Sequence, residues 1–415
     1  MSFLFKKILV LNIIAIMLLS YNVFADDEVD NVEIEDIAEV IQTATGATEK
    51  PKINSRYAVV LDRQSKAILY GKNEKTKTKM ASTTKIMTAL IVIENTNLNN
   101  IVEVSAKAAG TGGSRLKLKA KDKITVRDLL YGLMLRSGND SAVALAEYVG
   151  GSVPEFATLM NQKAEELGLL NTHFETPHGL DSDKHYTTPY ELAILTDYAL
   201  HNQVFAEIVK TKSCNITING YSRTISNTNE LLGNLDGVYG VKTGFTNGAG
   251  RCLVTSIKRR DLDVICVVLG ADTKKIRTVD SVKLIEYTFN NFENIDIKTK
   301  IEEEFNNWKS INEGRISIKK GIKNSINVKL EEYDLKNYPI EKNTENKIVI
   351  ELNANLELIA PVEVDTKIGE VTVHYDNHII LKIGILTTEE VKKKGIIDYI
   401  LEMGKNYSNY LELVI

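Results

Sequence analysis

The pattern of apolar and polar positions changes character along the chain. Lys6 and Lys7 precede an apolar run from Ile8 to Leu19, broken only by Asn12. That run is shorter than the roughly 20 residues that span a bilayer. Val23-Phe24-Ala25 follows with small residues at two alternate positions, then acidic Asp26 and Asp27. Charged, apolar and small-residue regions in this order predict a secretory signal peptide over residues 1–25. An uncleaved anchor is the other reading, and the short run weighs against it. A mature chain starting at Asp26 would work outside the cytoplasm.

Residues 26–52 are acidic and polar, then rich in Thr, Ala and Gly, and read as a flexible tether. Ala58–Asp62 reads as a strand and Ala67–Tyr70 as its hairpin partner. From about Ser82 the apolar residues Ile86, Ala89, Leu90 and Ile93 fall on one helical face. Helical spacing recurs over 126–150, 154–167 and 188–200. Cys252–Ser256 and Asp263–Leu269 look like adjacent strands, and a helix over 278–292 closes the unit. Strands at both ends with helices between them predict an α/β (α+β) sandwich on a mainly antiparallel sheet, residues 53–293.

Beyond this point the texture is different. Ile316–Ile318, Ile326–Leu330, Lys347–Glu351 and Val371–Val373 are short alternating runs separated by turn residues. They predict a small all-β domain over 294–390. In the tail, 391–415, Ile396, Ile400, Met403, Tyr407, Tyr410, Leu411 and Val414 mark one helical face. Asp398, Glu402, Lys405, Asn409 and Glu412 mark the other. Two readings fit: an amphipathic helix giving peripheral membrane association, or a terminal helix docked on its own protein. The segment is too polar to span a bilayer.

Composition narrows the chemistry. The 415 residues carry a formal net charge of -4, so there is no broad basic field for nucleic acid. Three cysteines form neither a disulfide framework nor a C-x-x-C pair, and the six histidines show no H-E-x-x-H spacing. No metal and no cofactor is expected.

Three short motifs occur in order: Ser82-Thr-Thr-Lys85, Ser137-Gly-Asn139 and Lys242-Thr-Gly244. Singly, the first two are weak. Ser-x-x-Lys recurs at Ser114 and Ser317, and Ser-x-Asn at Ser213, Ser310 and Ser325. A serine hydroxyl needs a base before it is a useful nucleophile. Residues three apart share a helix face, which sets the Lys85 amine beside Ser82. A free lysine has a pKa near 10.4, so acting as a base at neutral pH requires about 4 kcal/mol against its charged form. Burial and a second cation, Lys242, could supply this. Read alone, Ser82 is equally a helix N-cap. Ser137 offers a second hydroxyl for proton transfer, and Asn139 a donor and an acceptor for a peptide amide. The same residues read alone as a turn before a helix over Ala142–Val149. Lys242-Thr-Gly244 lies in an apparent edge strand leading to a Gly-rich turn. Such an edge can pair with a peptide, Gly244 admits close approach, and Thr243 can bind a carboxylate. Its plain alternative is a strand end and hairpin.

Together the three motifs resemble the signature of penicillin-binding proteins and class A β-lactamases. Ala81–Thr88, Leu135–Asp140, Asn171–Phe174 with Pro177–Asp181, and Gly240–Thr246 resemble the low-molecular-mass D-alanyl-D-alanine carboxypeptidases in particular. The likeness is strong over about 55–290 and looser beyond. It implies a β-lactamase/transpeptidase-like domain with a five-stranded antiparallel sheet. It also implies a serine carboxypeptidase that removes the terminal D-alanine of peptidoglycan pentapeptide stems through an acyl-enzyme. Ser82 would attack the penultimate D-Ala carbonyl, Lys85 would take its proton, and Ser137 would help pass it to the leaving D-Ala. Lys242 would tune this pair and Asn139 would orient the substrate amide. Thr243 and Arg277 would hold the terminal carboxylate. The backbone N–H groups of Ser82 and Phe245 would form the oxyanion hole, where losing one donor typically costs about 3 to 4 kcal/mol. β-Lactam antibiotics would acylate Ser82 as inhibitors.

One departure is Phe245, where some family members carry histidine; a role for its backbone N–H would survive this. His173 and His178 fall in a loop near the site and enter no step. Three readings compete. A class A β-lactamase needs a deacylating glutamate, but neither Glu175 nor Glu191 has the Glu-x-x-x-Asn context, and the added β-domain argues against it. A non-catalytic penicillin- or muropeptide-binding sensor could keep Ser82, though the complete set of Lys85, Ser137, Asn139 and Lys242 counts against it. A D,D-endopeptidase shares the same motifs.

Overall fold

A computed structural model describes residues 34–44, 46, 48–312 and 314–414. The expected leader, residues 1–25, lies outside them. The chain divides into two compact units, with the boundary between Asn291 and Phe292.

The first unit is built on a five-stranded antiparallel sheet in the order β2-β1-β9-β8-β7. Its strands are β1 (Tyr57–Asp62), β2 (Ile68–Lys72), β7 (Val238–Thr246), β8 (Gly250–Arg259) and β9 (Leu262–Ala271). β8 and β9 are buried along nearly their whole length, as strands are when both faces of a sheet are covered. The helix Pro189–Leu200 packs on β1 and β9, and the helix Lys274–Asn291 packs on β8 and β9. β7 is left at one edge. A smaller sheet, β3 (Ile101–Glu103), β4 (Lys123–Thr125), β5 (Ser213–Ile218) and β6 (Tyr221–Ser226), joins this unit. Its strands are short and polar on one face, and none stood out from the sequence.

The helix after Ser82 runs over Lys85–Asn95. The sequence predicts one buried face, but every residue from Lys85 to Val92 is buried. A helix covered all round belongs in the middle of a core, and here it carries Lys85 there. The predicted helical span 126–150 is two helices, Val126–Leu135 and Asn139–Gly150. Ser137 separates them in the left-handed conformation (φ 56°), which a right-handed helix cannot accommodate.

The expected tether over 26–52 is corrected in part. Ile34–Ala44 is a helix packed on Lys274–Asn291. Ile37 and Ala44 are buried, Asp36 pairs with Lys275 (3.2 Å), and Asn290 Nδ2 donates to Ala44 O (3.1 Å). The acidic composition masked apolar residues at helical spacing.

The second unit holds a four-stranded antiparallel sheet whose strands lie side by side in the order Val328–Leu330, His378–Thr387, Lys367–Tyr375 and Ile348–Ala354. The expected β-domain also carries one long helix. The helix Ile297–Asn312 buries Ile297, Ile301 and Phe305 in the same core as Val371, Val373 and Ile385. The tail forms a separate helix, Ile396–Val414.

Candidate active site

Ser82 sits in a 3-10 turn, Ala81–Thr84, that leads directly into the Lys85–Asn95 helix. In a 3-10 turn residues three apart eclipse one another, so Ser82 and Lys85 align more closely than on an α-helix. Lys85 Nζ lies 2.8 Å from Ser82 Oγ. It also donates to Asn139 Oδ1 (2.7 Å) and to the backbone carbonyl of His178 (3.1 Å). Lys85 is fully buried, whereas Ser82 retains 8% exposure, so the hydroxyl is the reachable member of the pair.

The turn is stapled from several sides. Thr83 Oγ1 donates to Met80 O (2.6 Å), and Thr84 Oγ1 to Ala81 O (2.8 Å). His185 Nδ1 accepts the Glu175 N–H (3.0 Å), which leaves Nε2 to donate to Thr84 Oγ1 (2.7 Å). Burial lowers the pKa of His185 to about 4, so the ring is neutral and this tautomer is fixed by its partners. Burial lowers His178 to about 3. Gly179 has φ 85°, and a Cβ on it would lie 1.9 Å from Ala81 O. The Pro177–Asp181 segment therefore forms a close-fitting wall against the nucleophile turn.

Asn139 opens the second helix of the split pair. Its Nδ2 donates to Gly112 O (2.7 Å) and its N–H to Ser114 O (2.7 Å). Asp140, fully buried, accepts the N–H groups of Leu116 (2.9 Å) and Leu118 (3.0 Å). The 112–118 segment is thus tied to the Ser-Gly-Asn motif at several points. Ser137 Oγ is buried and has no hydrogen-bond partner among the described residues. The structure brings it between the two helices but does not bond it to Ser82 or Lys85.

Lys242, Thr243 and Gly244 lie on the edge strand β7 and are buried. A Cβ on Gly244 would stand 3.0 Å from the Ser82 backbone nitrogen, so this strand passes against the nucleophile turn itself. Lys242 Nζ donates to Thr243 O (2.9 Å), and the hydroxyls of Thr243 and Thr228 are 2.7 Å apart. Phe245 is half-buried, with the Arg251 guanidinium 3.9 Å from its ring centroid. Arg277, 1% exposed, lies on the Lys274–Asn291 helix and forms an ion pair with Glu230.

The arrangement thus holds a hydroxyl beside a buried amine, an amide carbonyl on that amine, and an edge strand across the opening. Such a set suits covalent acyl transfer. The two carboxylates weighed for water activation are committed elsewhere. Glu191 accepts the Asn171 N–H and the Thr172 hydroxyl, and Glu175 accepts from Ser182. Sequence reasoning missed Gly112, Thr228, Glu230 and His185. None falls in a motif, and only the folded chain reveals them as neighbours of motif residues. Among the described residues no group of acidic, His and Cys side chains is placed to hold a metal.

The chain matches the sequence profile of the D-alanyl-D-alanine carboxypeptidases over residues 44–273 and that of the penicillin-binding protein 5 C-terminal domain over residues 305–393. It is 30% identical to the D-alanyl-D-alanine carboxypeptidase DacF of Bacillus subtilis, over 95% of this chain and 97% of that one. It is 33% identical to DacA of Haemophilus influenzae, over 83% and 87%. Among solved structures, penicillin binding protein 5 from Haemophilus influenzae superposes with a TM-score of 0.70 at 28% identity, covering 84% of this chain and all of that one. With the motif residues gathered around Ser82 and both units matched in order, the chain belongs to the D-alanyl-D-alanine carboxypeptidase family.

Proposed function

We propose that this protein is a serine D-Ala-D-Ala carboxypeptidase that acts outside the cytoplasm on peptidoglycan stem peptides and is acylated by β-lactams. The observation that carries the reading is the buried Lys85 amine, held at once against Ser82 Oγ, Asn139 Oδ1 and the His178 carbonyl. A lysine withdrawn from water is favoured in its neutral form, and a neutral amine 2.8 Å away can accept the Ser82 proton. Ser82 Oγ then attacks the penultimate D-Ala carbonyl. The oxyanion is received by the N–H groups of Ser82 and Phe245; the 3.0 Å approach of a Gly244 Cβ to the Ser82 nitrogen, on the strand residue next to Phe245, supports this. The peptide lies along the free edge of β7, with Asn139 on its amide and Thr243 and Arg277 on its carboxylate. Ser137 and Lys242 return the proton to the departing D-Ala, and water hydrolyses the acyl-enzyme. Glu175 and Glu191 are tied up in loop contacts, which disfavours the β-lactamase reading.

The test is release of D-Ala from a peptide ending in Lys-D-Ala-D-Ala, beside a Ser82→Ala variant, with labelling of both by a fluorescent penicillin. Release and labelling that both require Ser82 are expected. Labelling without release would favour a sensor or an endopeptidase instead. Neither, from folded protein, would sink the Ser82 mechanism.

The tail helix is assigned to peripheral membrane association. Ile396, Ile400, Met403 and Tyr407, all on the expected apolar face, are 81%, 62%, 72% and 68% exposed. No helix among the described residues is long and apolar enough to cross a membrane. Liposome co-sedimentation with and without residues 392–415 tests this; equal pelleting removes the idea.

A further inference from the structure

The two groups assigned to the substrate carboxylate, Thr243 and Arg277, are both held by one short segment, Thr228-Asn229-Glu230. The Thr228 hydroxyl bonds that of Thr243 (2.7 Å). Glu230 Oε1 receives Arg277 Nη2 in an ion pair and the Thr278 hydroxyl at 2.5 Å. The pair is well buried, with side-chain exposures of 2% for Arg277 and 13% for Glu230. It is also single-armed. Arg277 Nε and Glu230 Oε2 are buried and have no hydrogen-bond partner among the described residues, whereas a guanidinium and a carboxylate ordinarily engage through two parallel bonds. Burial opposes the charge on Glu230, but Arg277, Thr278 and Lys274 more than offset it and hold its carboxyl below the usual range.

We propose that Glu230 is an internal carboxylate that occupies Arg277 in the unliganded protein, so that a peptide's terminal carboxylate must win Arg277 from it. Glu230 is then a positioning residue that sets the affinity of the site for carboxylate-terminated peptides. This rests on the carboxylate-binding role given to Arg277 above. Its logic is that of a buried ion pair. With Glu230 present, Arg277 is already compensated, and an incoming carboxylate gains only the difference between two similar partners. Without the charge on residue 230, Arg277 is a buried cation lacking its counter-ion, which is strongly unfavourable. An incoming carboxylate then relieves that deficit. Affinity for a carboxylate rises, while affinity for the same peptide ending in an amide does not.

The experiment uses the full chain carrying Ser82→Ala, so that peptide is bound and not turned over. Binding of acetylated Lys-D-Ala-D-Ala and of its C-terminal amide is measured by calorimetry, with and without Glu230→Gln. We expect about a tenfold gain for the carboxylate, the typical margin of a charge-assisted over a neutral hydrogen bond, and no change for the amide. Adding Arg277→Gln should abolish the gain. Glu230→Asp, which keeps the charge on a shorter stem, should give a smaller gain in the same direction, and serves if Glu230→Gln does not fold. The Glu230→Gln protein should also melt lower when empty and recover more on addition of the carboxylate peptide. Unchanged or weaker carboxylate binding, or an equal gain for the amide, overturns the proposal. Failure of the Ser82→Ala chain to bind either peptide overturns the carboxypeptidase reading itself.

Discussion

Gly179→Ala offers a stringent test of how the nucleophile is held. Two effects combine at this position. Gly179 has φ 85°, where a side chain costs about 1 to 2 kcal/mol. A Cβ there would lie 1.9 Å from Ala81 O and 2.5 Å from Thr84 Oγ1. An ordinary carbon–oxygen contact is about 3.3 to 3.6 Å, so the loop or the turn must move by about 1.5 Å. Overpacking of this kind adds about 1 to 3 kcal/mol, for a total of about 2 to 5 kcal/mol. The displaced element is the turn carrying Ser82 or the wall carrying the His178 carbonyl. A misplacement of about 1 Å can cost about 100-fold in rate. Gly168→Ala is the matched control: φ is 69°, and nothing lies within 4 Å of the new Cβ. It carries the backbone strain without the clash. Thermal melting and the rate of fluorescent penicillin acylation, measured on both, separate the two effects. Gly168→Ala should lose about 1 to 2 kcal/mol and acylate normally. Gly179→Ala should melt lower still and acylate about 100-fold more slowly. Equal melting shifts and equal acylation in the two variants would refute the reasoning.

Three further outcomes follow from the same geometry. Lys85→Met keeps an unbranched side chain but removes the base, so penicillin acylation should fall by about 100- to 10,000-fold; near-normal acylation would assign the proton transfer elsewhere. Asp140→Asn leaves one oxygen to serve the Leu116 and Leu118 N–H groups, so stability in urea should drop by about 1 to 3 kcal/mol and acylation should slow as the Asn139 support loosens. His185 has a folded pKa of about 4 against 6.5 for a free ring. Below 6.5 the unfolded chain binds the extra proton and the folded chain does not. Stability is therefore fully present above about pH 6.5 and declines toward pH 4, by about 3 kcal/mol from this residue. His185→Gln should flatten that part of a denaturation-versus-pH curve, and an unaltered slope would show that the ring is not the titrating group.

The order of three short motifs, and their place among strands and helices, was determined by the sequence alone. Spacing put Ser82 and Lys85 on one turn, and the Gly-rich end of Lys242–Gly250 marked a strand edge. Local pattern suffices for these because each depends on neighbours within a few residues. The interruption at Ser137 was legible both as a motif and as a turn before a helix over Ala142–Val149, but the left-handed backbone of Ser137 was not. The residues on either side of it are held by the 112–118 segment, which bonds Asn139 and Asp140, and by Thr228, whose N–H donates to Leu135 O (3.1 Å). The helix Ile34–Ala44 was hidden by its acidic composition, and the helix Ile297–Asn312 by the alternating runs around it. Both are stabilised by burying an apolar stripe against partners distant in sequence.

The site was decided by tertiary structure wherever backbone groups or remote residues take part. The His178 and Gly112 carbonyls carry no side-chain signature, so nothing in their residue types marks them as partners of Lys85 and Asn139. The same holds for Glu230, an unremarkable glutamate in a turn until the fold sets it against a buried arginine. Local sequence fixes which groups are available within one turn or strand. Which of them lose their water together, and so interact strongly, depends on packing between segments tens to hundreds of residues apart.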